Sequence, residues 1–115
     1  MDERRIREVV AEVPERLGLD NAAVLTSGGQ KIVLTGELGG AKAVAKIVLV
    51  PDGPSAATVI ERAHREVELL AAVSSPNVVA VLTDAVEIGD RPDAVCWAEE
   101  RLSGGDLTPL LHTRW

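Results

Sequence analysis

The chain of 115 residues reads as an α+β domain. Three observations carry this. Between Ala22 and Val50 the apolar residues fall in short runs separated by glycine pairs, the pattern of strands joined by tight turns. From Ala56 to Val73 the spacing lengthens, with Val59, Ile60, Ala63, Val67, Leu70 and Val73 recurring at the period of a helix that buries one face. Beyond Pro76 the strand-like runs return. The predicted order is three strands, a helix and two strands, with a helical leader ahead of them.

In that leader, residues 2–12 place Ile6, Val9, Val10 and Val13 on one face, with Arg and Glu on the other. Asp2 and Glu3 favour its start through the helix dipole, and Pro14 is expected to end it. We expect the stripe to dock on its own domain. Ala22–Thr26 reads as the first strand, Ser27-Gly28-Gly29-Gln30 as a turn, and Lys31–Leu38 as the second strand. Gly39-Gly40 makes a hairpin into Ala41–Val50. Pro51–Pro54 breaks that strand, and Ser55 is placed to cap the long helix. Ser74-Ser75-Pro76-Asn77 ends the helix, and Val78–Ile88 and Asp93–Glu100 are the last two strands, joined through Gly89-Asp90. Ser103-Gly104-Gly105 reads as a linker, and Asp106 can cap a final short helix.

Composition narrows the function classes. The net charge is −6 and no basic stretch exceeds Arg4-Arg5, which argues against a nucleic-acid footprint. No apolar run approaches the ~18 residues of a membrane span, and no signal core follows Met1, so we expect a cytoplasmic protein without membrane contact. Phe and Tyr are absent, leaving a core of Val, Leu, Ile and Ala. Cys96, the single cysteine, lies in the apolar run Ala94–Ala98 and reads as a buried small residue. His64 and His112 have no acid or cysteine at metal-ligand spacing, so no metal site is expected.

Lys46 stands out because a lysine inside the valine-rich run Ala41–Val50 is costly to bury without a negative partner. Period two puts Lys42, Val44, Lys46 and Val48 on one strand face. A carboxylate on the following helix is the natural partner. Glu66 shares a helix edge with Val59, Ala63 and Leu70, whereas Glu68 falls on the solvent side. The bland alternatives are an edge-strand lysine in water and, for Gly28-Gly29, an ordinary hairpin turn.

Taken in register, these residues resemble the N-terminal, ATP-binding lobe of bacterial-type Ser/Thr protein kinases, from about Val24 to Leu111. The resemblance implies a five-stranded antiparallel sheet with one packed helix, preceded here by the amphipathic leader. It divides the chain into the leader, residues 1–20, the lobe, 21–105, and a hinge exit with the start of a further helix, 106–115, the C-terminal lobe being absent. Lys46 matches the family's strand-three lysine, which pairs with ATP phosphates and with the helix glutamate, here Glu66. Glu66 lies ten residues before Pro76, in register with the junction Ser75-Pro76-Asn77-Val78-Val79. Gly28 and Gly29 fall in the phosphate loop and Val33 over the adenine. Val44 stands where the family has a small residue against that ring. Glu100 and Leu102 match the hinge that offers main-chain groups to adenine, and Asp106 lies near the ribose position. Glu99 falls at the position that closes the back of the pocket, which is normally apolar. A carboxylate there must be neutralised by a neighbour or turned outward.

Thr26 and Lys31 replace two loop glycines, which removes close backbone approach to phosphate. The H-R-D-x-x-x-x-N and D-F-G motifs that complete phosphoryl transfer have no counterpart in the chain. The resemblance thus implies the nucleotide-binding lobe of a Ser/Thr kinase, using ATP and Mg²⁺ with a protein substrate and a C-terminal lobe in the complete enzyme. This chain alone is expected to be inactive and to bind nucleotide weakly or not at all. The alternative is a free-standing, non-catalytic lobe, a pseudokinase module that binds and regulates a protein partner.

Overall fold

The computed structural model describes residues 3–28, 30–72, 80–89 and 92–101. Helix α1, Glu3–Leu17, precedes strands β1, Asp20–Gly28, β2, Lys31–Leu38, and β3, Ala41–Leu49. Helix α2, Ala56–Ala72, follows, then β4, Val86–Ile88, and β5, Ala94–Glu100. The five strands form one antiparallel sheet in the order β1-β2-β3-β5-β4. This is the α+β, kinase-like N-lobe architecture expected, with α1 added to it.

Alternation along β3 sorts its residues onto two faces. Ala43, Ala45, Ile47 and Leu49 meet Val9, Val13 and Leu17 of α1, together with Ile32, Leu34, Cys96 and Ala98. Val48 and Val50 instead pack with Val95 and Trp97 against Ala63 and Val67 of α2. Each helix therefore covers one side of the sheet. The leader docks on its own domain, where Val9 and Val13 are fully buried.

Three local readings are corrected. Pro14 does not end the first helix but lies inside it. Its ring removes one backbone donor, but stopping there would strand Leu17, the third member of the buried stripe Val9, Val13, Leu17. The helix ends instead at Gly18, whose φ of +76° lets the Gly18 and Leu19 amides both donate to the Pro14 carbonyl at 2.9 Å. β1 is longer than Ala22–Thr26 and is exposed along its whole length, so apolar pattern could not set its ends. Finally, Val78–Ile88 is not one strand. Regular pairing begins at Val86, and Val81 makes a single bridge to Glu99. Between them the Thr83 hydroxyl accepts the Ala98 amide at 2.9 Å, taking the place of a backbone rung. The readings over 73–79, Gly29, and 102–115, which include Leu102, Asp106 and His112, lie outside the described residues.

One close approach fixes the start of β1. A Cβ on Gly36 would sit 2.6 Å from Leu19 Cγ and 2.7 Å from the Asp20 carbonyl oxygen. Only glycine lets β2 pass under the irregular register between Asp20 and Ala23. At the other end of α1, Arg5 Nε donates to Asp93 Oδ2 at 2.8 Å, anchoring the helix to the β4–β5 turn. That bond raises the Arg5 pKa further above its ordinary value.

Candidate nucleotide site

Lys46 is buried, 5% exposed, on the α2 face of the sheet. The strand register places it in a row with Val33 of β2 and Trp97 of β5. The next row is Thr35, Val44 and Glu99, and the row on the other side is Lys31, Val48 and Val95. Directly paired residues of antiparallel strands point to the same side. Val33, Val44 and Lys46, three of the residues assigned to nucleotide, thus share one face.

The carboxylate that meets Lys46 comes from β5. Glu99 Oε2 lies 3.3 Å from Lys46 Nζ. The same oxygen accepts the Trp97 indole N–H at 2.7 Å. Glu99 is only 2% exposed, so the expectation that it be neutralised or turned outward resolves to neutralisation. Attraction at this distance is strong in a poorly solvated site, but desolvating two ions offsets much of it. The pair fixes where the ammonium sits more than it stabilises the fold.

The expected acid partner of Lys46 was Glu66, and the structure supplies Glu99. Sequence spacing could not reveal this, because Lys46 and Glu99 meet only through the β3–β5 register. Glu66 is half-buried on α2, one residue before the buried Val67, while Glu68 is exposed as expected. His64 lies 2.7 Å from Glu87 Oε2 and ties α2 to β4. Gly28 ends β1, paired with Lys31 across the turn. The Glu100 amide donates to the Ala80 carbonyl at 2.9 Å, and its Oε1 accepts the Ala80 amide at 3.2 Å.

A second cation went unassigned in the sequence. Lys31 appeared there only as a lost glycine, yet it is half-buried on the face that carries Lys46. Burial lowers its pKa, and the nearby Lys46 charge lowers it further. Lys31, Lys46 and Glu99 thus lie on one face of the sheet. Among the described residues no group of three or more His, Cys, Asp or Glu could hold a metal ion. No described helix is long and apolar enough to cross a membrane.

No protein-family profile matches the chain, and no curated protein matches it. Among solved structures it is similar to a thermostable mutant of the aminoglycoside phosphotransferase APH(4)-Ia, in ternary complex with ADP and hygromycin B. The TM-score is 0.55 at 20% identity, over 90% of this chain. The chain spans 32% of that protein's length. Fold and topology together define the architecture: a kinase-like N-terminal lobe.

Proposed function

We propose that this chain is a nucleotide-binding lobe, in which Lys46 and Lys31 face the phosphates and Val33 and Val44 form the apolar wall against the base. The carrying observation is a buried ammonium on the sheet face that also holds Val33 and Val44 in register. Apolar walls with one or two buried charges are what a nucleotide pocket needs. Phosphoryl transfer depends on positioning and on charge stabilisation, and this chain's share of it is orientation of the nucleotide. Lys46 would neutralise phosphate oxygens, while Gly28 lets the β1–β2 turn approach them. Among the described residues no group of three or more His, Cys, Asp or Glu could hold Mg²⁺.

The acceptor class rests on sequence motifs. Ala43-Val44-Ala45-Lys46 and the hinge around Glu100 support a protein Ser/Thr kinase. The likeness to an aminoglycoside phosphotransferase makes a small-molecule hydroxyl the competing acceptor. A non-catalytic lobe that regulates a protein partner is favoured by a different observation: β1 is an edge strand exposed throughout, with Val24 57% and Leu25 40% exposed.

Calorimetric titration of the chain with Mg-ATP tests the reading. We expect binding weaker than about 100 μM, roughly −5.5 kcal/mol or less favourable, and its loss in Lys46→Met. A low-micromolar constant indifferent to Lys46 would refute it.

A further inference from the structure

Phosphoryl transfer has no use for a carboxylate at position 99, yet one is buried there. Glu99 lies opposite Val44, on the row assigned to the base, and with Lys46 it is one of two buried charged side chains among the described residues. Its Oε2 is held from two sides, by Trp97 Nε1 at 2.7 Å and Lys46 Nζ at 3.3 Å. The indole can only donate. It keeps its carboxylate partner in place whatever the ammonium does.

Lys46 carries one positive charge. In a buried site that charge neutralises either the Glu99 carboxylate or a nucleotide phosphate, and the anion left over bears the desolvation cost. The geometry points to Glu99 as a latch on the phosphate site: a carboxylate anchored by Trp97 that occupies Lys46, and from which incoming phosphates must draw the ammonium away. This rests on the nucleotide-binding reading and deepens it, since it makes Glu99 the residue that sets affinity. Lys31, on the same face, is then the cation that first meets the incoming anion.

The test is calorimetric binding of Mg-ADP, and separately of inorganic tripolyphosphate, to the 115-residue wild type, Glu99→Gln and Lys46→Met. Glutamine keeps the volume and an oxygen to accept from Trp97 while removing the charge. Glu99→Gln is expected to tighten both ligands about tenfold, because the competition is over charge, and Lys46→Met to abolish both. Unchanged or weaker binding in Glu99→Gln, with loss in Lys46→Met, overturns the latch and leaves the nucleotide site standing. Failure of all three proteins to bind overturns the nucleotide reading and the latch with it. A measurement without a charge variant guards against misfolding: the Trp97 indole N–H resonance, assigned in Trp115→Phe, should move in step with tripolyphosphate saturation. A resonance that stays fixed at saturation overturns the latch.

Discussion

Lys46 and Glu99 meet across β3 and β5 with 3.3 Å between nitrogen and oxygen, and both are almost wholly removed from solvent. Removing one partner of such a pair strands the other. Lys46→Met or Glu99→Leu should each cost about 3–5 kcal/mol. The double variant Lys46→Met/Glu99→Leu should cost less than the sum, because it leaves no orphaned charge. Urea denaturation of the four proteins measures this, and additive losses would show that the two side chains are not coupled.

Gly36 gives a steric prediction. Gly36→Ala places a methyl 2.7 Å from the backbone oxygen of Asp20, which cannot swing away as a side chain can. The expected loss is about 1–3 kcal/mol, read as a lower thermal midpoint. Gly28→Ala, where the added carbon meets nothing within 4 Å, is the control and should change little.

Pro14 gives a prediction of opposite sign. It interrupts α1 without ending it, so Pro14→Ala restores a backbone donor inside a helix that is already docked. We expect a gain of about 1–3 kcal/mol. A loss would mean that Pro14 itself is what seats Leu17.

Cys96 supplies the pH dependence. Burial pushes its thiol from 9.0 up to about 12, against the opposing charge of Arg16. A raised acid pKa means that the folded state holds the proton longer than the unfolded chain. The associated stability is therefore complete below about pH 9 and lost as pH rises toward 12. The slope is at most roughly 1.4 kcal/mol per pH unit, and Cys96→Ala should flatten it. In the native protein at pH 8 the thiol should react with Ellman's reagent only after unfolding; an immediate reaction would show that the site is open to solvent.

Much of the fold was legible because single-strand and single-helix patterns encode it. β3 and α2 declared themselves through period two and period 3.6, and the burial of Lys46 followed from the apolar run around it. What escaped depends on contacts between distant segments. Pro14 stays helical because Val9, Val13 and Leu17 must reach one sheet face together. The stretch before Val86 meets β5 irregularly, through the Val81–Glu99 bridge and the Thr83 hydroxyl on the Ala98 amide. The partner of Lys46 is set by a register between strands about fifty residues apart, which no local spacing records. The neighbourhood of Lys31 with Lys46 likewise exists only once β2 pairs with β3.

The central claim is that the α2 face of this sheet, centred on Lys46, receives nucleotide phosphates. Amide and side-chain NMR during a Mg-ATP titration tests it most directly. The account predicts saturable shifts concentrated at Gly28, Lys31, Val33, Val44, Lys46 and the Trp97 indole, with Val9, Val13 and the rest of the α1 face unmoved. Shifts confined to the α1 face, or none at millimolar nucleotide, would contradict it.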